Sequence, residues 1–79
     1  MLVDVFLPKI GMAMQEGLIT KWLKQQGEAV AKGEPLLEVE TEKVLETIEA
    51  PENGILAEVL YPEGQDVEVG TVIARIQVG

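Results

Sequence analysis

The residues with the clearest chemical potential lie together near the middle of the chain. Lys43 stands between Glu42 and Val44, and Glu40 and Thr41 precede them. Neighbouring negative charge favours the protonated form of a lysine, and no apolar pocket opposes it here, so this amine is a poor catalytic nucleophile. Two interpretations remain. The lysine is either a solvated turn residue or an acceptor that another enzyme acylates in order to attach a tether.

The composition excludes most other kinds of site. The 79 residues contain no Cys and no His, which removes disulfides, thiolate nucleophiles and the commonest metal ligands and general bases. Fourteen acidic residues stand against six basic ones, and the formal net charge is −8. A chain this acidic repels nucleic acid and anionic lipid. We therefore expect no metal site, no nucleic-acid partner and no membrane partner.

The start of the chain and its hydropathy predict where the protein works. The first residues lack the basic region and apolar stretch of a signal peptide. No apolar run approaches the roughly 20 residues that span a bilayer. We expect a cytoplasmic protein of a prokaryote. The alternative is a mitochondrial matrix protein whose transit peptide has been removed.

Short strands must position the lysine, because eight Gly and four Pro separate short runs rich in Val, Ile and Leu. This pattern predicts an all-β protein with tight turns. We expect one domain over residues 1–79, with short extended pieces around Val30 and Val67. Longer strands are predicted over residues 2–7, 18–23, 36–41, 44–50, 55–60 and 72–78.

The segment around the lysine reads as a β-hairpin. Polar and apolar residues alternate over residues 37–42, which predicts a strand with one buried face. A two-residue tip after this strand pairs Thr41 with Val44 and Val39 with Glu46. Because the tip has no Gly or Asn, we expect a tight type I turn. The lysine would then lie at the apex of a rigid hairpin.

An internal repeat at a spacing of 37 residues predicts the overall architecture. Gly17-Leu18-Ile19 recurs as Gly54-Ile55-Leu56. Val30 likewise recurs as Val67. Two copies of one strand unit suggest two similar sheets packed face to face about a pseudo-two-fold axis. Gly27 is expected at a turn with positive φ, and we also assign Gly54 to a structural turn.

The motifs extend over nearly the whole chain, and together they resemble the lipoyl domains of the biotinyl/lipoyl carrier family. These are carrier domains of the dihydrolipoamide acyltransferase component of 2-oxo acid dehydrogenase complexes. The family's modified lysine lies in an acidic-Lys-apolar tripeptide, which Lys43 matches. Its glycines sixteen residues before and eleven after that lysine match Gly27 and Gly54. The other matching motifs are Leu7-Pro8-Lys9-Ile10-Gly11, Glu16-Gly17, Trp22-Leu23, Gly33-Glu34-Pro35-Leu36 and Glu49-Ala50-Pro51.

The resemblance implies a fold, a cofactor and a set of partners. The fold is a flattened barrel of two four-stranded antiparallel sheets, with the modified lysine at a hairpin tip. The cofactor is (R)-lipoate, joined to Lys43 as an amide by a lipoate–protein ligase or by lipoyl synthase and transferase. A thiamine-diphosphate-dependent decarboxylase of a 2-oxo acid, or of acetoin, would acylate the arm reductively. The acyltransferase core would pass the acyl group to coenzyme A, and dihydrolipoamide dehydrogenase would reoxidise the arm.

In this scheme the chain is a monomeric carrier without an active site of its own, and the parent polypeptide is a dihydrolipoamide acyltransferase. The resemblance also implies recognition roles. Glu42 and Val44 would guide the attaching enzyme, and Glu40 and Thr41 would serve partner recognition or the turn. The loop over residues 9–16 would contribute to decarboxylase recognition through three side chains, Met12, Met14 and Glu16. The methionines could equally cover a sheet edge.

Two alternatives stay open. A biotin carrier has a similar fold, but its modified lysine usually lies between two methionines, whereas the neighbours of Lys43 are Glu42 and Val44. The other alternative is a β-sandwich interaction module whose lysine is never modified.

Overall fold

The computed structural model describes residues 1–42 and 44–79, so the predicted attachment residue, Lys43, lies outside the described residues. Within these ranges the chain forms eight β-strands. No helix long and apolar enough to cross a membrane occurs among them. In chain order the strands are β1 (Leu2–Phe6), β2 (Glu16–Trp22), β3 (Ala29–Val30), β4 (Pro35–Glu40), β5 (Leu45–Glu49), β6 (Gly54–Val59), β7 (Asp66–Glu68) and β8 (Val72–Gln77).

The predicted strands are confirmed, including the two short pieces at Val30 and Val67. Their ends differ from the prediction by at most two residues. The largest difference is at the start of β2, where Glu16 and Gly17 pair with Glu68 and Val67 of β7 and so extend the strand. The fit is close because Gly and Pro mark the ends of almost every strand.

The strands form two four-stranded antiparallel sheets, so the predicted fold class is confirmed. One sheet has the order β1-β8-β6-β3 and the other has the order β5-β4-β2-β7. Each sheet therefore combines two strands from the first half of the described chain with two from the second half. The molecule measures 36 × 20 × 18 Å along its principal axes, so it is elongated.

The sequence repeat is also a repeat of hydrogen-bonding register. The pairing of β2 with β4 becomes the pairing of β6 with β8 when each residue number is raised by 37, and the irregularity in the middle of the ladder is preserved. The predicted pseudo-two-fold relation between the sheets follows directly. The corresponding pairs are Leu18↔Glu40 with Ile55↔Gln77, Ile19↔Val39 with Leu56↔Ile76, and Lys21↔Glu38 with Glu58↔Arg75.

The core lies between the two sheets and consists of apolar side chains alone among the described residues. Removing apolar surface from water is the main driving force for such packing. Val39 of β4 and Ile48 of β5 belong to this core, so the base of their hairpin is fixed to the body of the molecule. The largest fully buried side chains are Leu7, Ile19, Leu36, Leu37, Val39, Leu56, Ile73 and Ile76.

The two glycines predicted as structural turns have different roles. Gly27 has φ of +98°, in the left-handed region that favours glycine, and its N–H donates to the Leu56 carbonyl at 2.7 Å. The assignment of Gly54 to a turn is wrong. Gly54 is the first residue of β6 and pairs with Val30. A Cβ there would overlap the Gln77 carbonyl oxygen and lie 2.8 Å from Cγ2 of Ile76, so the position requires the absence of a side chain.

Candidate functional site

The hairpin formed by β4 and β5 carries the segment that contains Lys43. Val39 pairs with Glu46, as predicted, and Glu40 pairs with Leu45. Beyond the last pair, the N–H of Thr41 donates to the carbonyl of Val44 at 2.8 Å. This bond closes the hairpin immediately before the two-residue tip, as the alternation pattern predicted.

The Thr41 side chain makes two further contacts across the same turn. Its hydroxyl donates to the Val44 carbonyl at 3.2 Å, and its oxygen accepts from the Val44 N–H at 3.3 Å. Both the N–H and the C=O of Val44 are therefore held by a single residue. Thr41 and Val44, which precede and follow Glu42-Lys43 in the sequence, are thus joined by three hydrogen bonds.

Exposure increases from the base of the hairpin to its tip. Val39 is fully buried, whereas Val44 is 45% exposed and Leu45 is 58% exposed. Glu42 is exposed as well. Two apolar side chains beside the tip thus face solvent, where a partner protein can reach them.

The loop before β2 places the two predicted recognition methionines in different environments. The Met14 N–H donates to the Gly11 carbonyl at 3.1 Å, and the Met14 sulfur accepts from the Ile10 N–H at 3.1 Å. The Met14 side chain packs against the core. Met12, in contrast, is 96% exposed. Met14 therefore anchors the loop, and Met12 is the methionine that a partner can contact.

A groove of about 1010 Å³ lies between this loop and the tip of the hairpin. We call it the tip groove. All seven residues that the sequence predicted for recognition line it, although they come from two distant segments of the chain. They are Met12, Met14, Glu16, Glu40, Thr41, Glu42 and Val44. Their recognition roles stay predictions.

The tip groove is acidic. Besides the three predicted glutamates, its described walls contain Glu46 of β5 and Asp66 of β7, which sequence reasoning missed. Asp66 pairs with Leu18 of β2, and this pair corresponds to Ala29↔Ile55 in the other half of the repeat. The repeat would have placed Asp66 beside β2 only if the Ala29↔Ile55 pair had been known. Among the described residues, no lysine or arginine lines this groove.

The arrangement suits presentation to a partner protein. The carboxylates that line the groove are exposed to solvent. What the site offers is a firmly closed turn, half-exposed apolar side chains and an acidic rim, which are features that a second protein can recognise.

Comparisons with known proteins agree with this geometry. The family model described as "Biotin-requiring enzyme" matches residues 3–76. The dihydrolipoyllysine-residue acetyltransferase component of the pyruvate dehydrogenase complex from Corynebacterium glutamicum is 49% identical over 73 residues, covering 92% of this chain and 11% of that protein. The corresponding component of the acetoin cleaving system from Bacillus subtilis is 43% identical over 76 residues, covering 96% of this chain and 19% of that protein.

A third relative acts in a different complex. The succinyltransferase component of the 2-oxoglutarate dehydrogenase complex from Bacillus subtilis is 42% identical over 78 residues, covering 99% of this chain and 19% of that protein. The chain thus spans between a tenth and a fifth of the length of these curated relatives.

A solved structure extends the match to three dimensions. The lipoyl domain of the 2-oxoglutarate dehydrogenase complex from Azotobacter vinelandii superposes with a TM-score of 0.80 at 30% identity, and 98% of each chain is covered. The superposed region includes both sheets, and the region matched by the family model includes the segment around Lys43. The chain therefore belongs to the biotinyl/lipoyl domain family, and within it to the lipoyl domains of acyltransferase components of 2-oxo acid dehydrogenase complexes.

Proposed function

We propose that Lys43 carries (R)-lipoate as an amide and that the chain works as the swinging-arm carrier of a 2-oxo acid or acetoin dehydrogenase complex. One observation carries the proposal. In a chain of the lipoyl-domain family, Thr41 and Val44 close a two-residue turn around Glu42-Lys43 at the exposed end of a hairpin whose base is buried.

The residues beside the lysine fit an attachment site. Glu42 is exposed and Val44 is half-exposed, so an attaching enzyme can contact both flanks of the tip. The attaching enzyme is a lipoate–protein ligase. The alternative is the route that uses a lipoyl synthase and a transferase. Forming the amide removes one positive charge, so the formal net charge of −8 becomes one unit more negative.

The chemistry of the carrier comes from the arm and from its partner enzymes. When bound, lipoate supplies a dithiolane that accepts an acyl group from a thiamine-diphosphate-dependent decarboxylase, passes it to coenzyme A and is reoxidised by dihydrolipoamide dehydrogenase. The domain supplies position, because tethering raises the effective concentration of the arm at each active site. We infer that the chain has no active site of its own and that its parent polypeptide is a dihydrolipoamide acyltransferase.

The tip groove is our proposed contact surface for the decarboxylase. Met12 offers a flexible apolar side chain there, and the surrounding carboxylates favour a basic partner surface. The relatives belong to complexes named for pyruvate, acetoin and 2-oxoglutarate at 49%, 43% and 42% identity, and pyruvate or acetoin is our preferred source of the acyl group. We propose a cytoplasmic location in a prokaryote.

Intact mass after co-expression with a lipoate–protein ligase tests the attachment. We expect one lipoyl-sized increment on the wild-type domain and none on Lys43→Arg. The matched control is Lys32→Arg, which changes another lysine in the same way and should keep the increment. An increment on Lys43→Arg, or its absence from the wild type, would reject the proposal. Parallel co-expression with a biotin ligase tests the alternative, since a biotin-sized increment identifies a biotin carrier.

Reductive acylation of the lipoylated domain tests the choice of decarboxylase. Purified decarboxylases for pyruvate, acetoin, 2-oxoglutarate and branched-chain 2-oxo acids would each be offered the domain with labelled substrate. We expect the highest kcat/KM with the pyruvate or the acetoin enzyme. Preferential acylation by either of the other two would contradict our preference for the acyl group while leaving the carrier role intact.

A further inference from the structure

We propose that Thr41 is a positioning residue for lipoyl attachment, and that its hydroxyl holds the hairpin tip in the conformation that the attaching enzyme binds. This inference rests on the proposed attachment at Lys43. It goes further by assigning the task to one side-chain oxygen that lies two residues before the lysine.

The hydrogen bonds of the tip show what the hydroxyl does. In a regular two-residue hairpin, the two residues that flank the turn exchange both of their backbone N–H···O bonds. Here the Thr41 N–H donates to the Val44 carbonyl at 2.8 Å, but the Val44 N–H donates to the Thr41 hydroxyl oxygen at 3.3 Å. The side chain thus replaces the second backbone acceptor, as serine and threonine do in tight turns.

This side-chain hydrogen bond explains how the sequence closes its hairpin tip. Two-residue hairpins usually need glycine or asparagine, because the favoured turns require positive φ. Residues 41–44 contain neither, and no non-glycine residue with positive φ occurs among the described residues. A hydroxyl that reaches across the turn supplies a further hydrogen bond between the two residues that flank the tip.

The other end of the molecule provides an internal comparison. Raising residue numbers by 37 takes Thr41 to Val78, which has no hydroxyl. There the Val78 N–H donates to the Met1 carbonyl at 2.8 Å, as the Thr41 N–H does to Val44. The return bond comes from the terminal ammonium of Met1. The hydroxyl bridge is therefore found at the end of the pseudo-symmetric body that contains the lysine.

The consequence for attachment concerns the fraction of molecules with a closed tip. If the attaching enzyme binds the closed turn, opening it reduces apparent affinity in proportion to the closed fraction and leaves turnover at saturation unchanged. Removing both hydroxyl contacts with Val44 should therefore raise KM for the domain by up to about tenfold, and the full factor applies when the open tip becomes the major state. A residue that merely supported the fold would instead lower the melting temperature and affect all partners of the domain.

The test compares Thr41→Val, which keeps the shape but removes the hydroxyl, with Thr41→Ser, which keeps the hydroxyl. We expect Thr41→Val to raise KM in the lipoate–protein ligase assay with kcat and the melting temperature nearly unchanged, and Thr41→Ser to restore KM. Hydrogen exchange on the unmodified domain should show faster exchange of the Val44 amide in Thr41→Val and wild-type exchange in Thr41→Ser.

The matched control is Thr20→Val. Thr20 donates its hydroxyl to the Glu38 carbonyl at 3.0 Å within the β2–β4 pair, so this variant also removes a side-chain-to-backbone hydrogen bond, one rather than the two lost in Thr41→Val, and does so away from the tip. It should leave KM unchanged. A wild-type KM or an unaltered Val44 amide in Thr41→Val would overturn the positioning role alone. A wild-type domain that acquires no lipoyl group would overturn the proposed function, and the positioning role with it.

Discussion

At the scale of single residues, the site is a set of exposed side chains on a rigid support. Glu42 lies beyond the last strand pair and is exposed, so among the described residues the fold does not depend on its side chain. We propose that its value is as a charge and a shape that other proteins recognise. Substitutions at such positions usually change the free energy of unfolding by less than about 0.5 kcal/mol.

We therefore predict that Glu42→Ala melts like the wild type but is lipoylated or reductively acylated more slowly. Thermal melting and initial rates of both reactions would measure this. The matched control is Glu52→Ala, which removes the same charge from the exposed turn that precedes β6. A large fall in the melting temperature of Glu42→Ala would make Glu42 structural. An equal loss of rate in Glu52→Ala would show that the slower reaction of Glu42→Ala comes from the change in net charge and not from the position of Glu42.

Glu34, a single residue, makes the stability of the domain depend on pH. The Ala31 N–H donates to this carboxylate at 3.1 Å, and the Lys24 ammonium lies 3.3 Å from its other oxygen. These contacts, led by the backbone hydrogen bond, hold the pKa of Glu34 below its ordinary value of 4.5. Because the folded pKa is depressed, the stabilisation is present above the unfolded pKa and is lost as pH falls through the folded pKa.

Glu34→Gln should accordingly be less stable than the wild type at pH 7, since a neutral amide is a weaker acceptor than a carboxylate. The difference should shrink as the pH falls below 4.5. Melting temperatures measured at several pH values would show it, with Glu52→Gln as a control for the loss of one exposed carboxylate. A constant difference between Glu34→Gln and wild type across this range would refute the linkage.

Single-residue roles were the hardest to predict from sequence. Met12 and Met14 are the same residue type two positions apart, and only the loop geometry shows that one is exposed while the other packs on the core. A glycine likewise does not reveal whether it supplies positive φ or lack of a side chain. Gly27 does the first and Gly54 the second.

At the scale of elements, the close approach of β6 to β8 makes Gly54 a sensitive point. A methyl group there would overlap the Gln77 carbonyl and crowd Ile76, and backbone atoms cannot move aside without disturbing the ladder. Overpacking of this kind typically costs about 1–3 kcal/mol, and more when the backbone is involved.

Gly54→Ala should thus lower the free energy of unfolding by about 3 kcal/mol, as measured by urea denaturation. Gly11→Ala is the control, because nothing lies within 4 Å of a Cβ built at Gly11 and its φ is not positive. It should stay close to the wild type. A Gly54→Ala domain as stable as Gly11→Ala would show that the strands separate easily at this point.

The strands themselves could be predicted because turn residues and apolar runs are local signals. Their partners could not all be predicted in the same way. The hairpin register of Val39 with Glu46 followed from a short tip, but β8 lies between β1 and β6, and nothing in the local pattern of β8 names those neighbours. Alternation defines which face is buried, whereas pairing depends on the packing of the whole chain.

At the scale of the whole molecule, the two halves are interleaved. Each sheet has an inner pair from one half, β8-β6 or β4-β2, and outer strands from the other half. Neither half contains a complete sheet, and both contribute to one core. Unfolding should therefore be a single cooperative transition.

A chain divided at the hairpin tip would test this. We predict that a fragment of residues 1–42 and one of residues 43–79 are each unfolded alone and recover the β-sheet circular dichroism spectrum when mixed in equal amounts. A fragment of residues 1–60 mixed with one of residues 61–79 serves as a comparison that divides the sheets unequally. Cooperative melting of either 1–42 or 43–79 alone would disprove the dependence of each half on the other.

The numerical regularity of the ladders has a consequence for the origin of this architecture. Because the β2–β4 pairing maps onto the β6–β8 pairing by a shift of 37, a peptide of about half this length could build the same body as a homodimer about a true dyad. Such an ancestor would have had the end of one chain's fourth strand beside the start of its partner's first strand at each extremity. Fusion of two tandem copies into one polypeptide would join these ends as a hairpin at one extremity, and at the other they still meet as Met1 and Val78. Duplication would thereby have created the hairpin that contains Lys43 at one end of the molecule and not at the other.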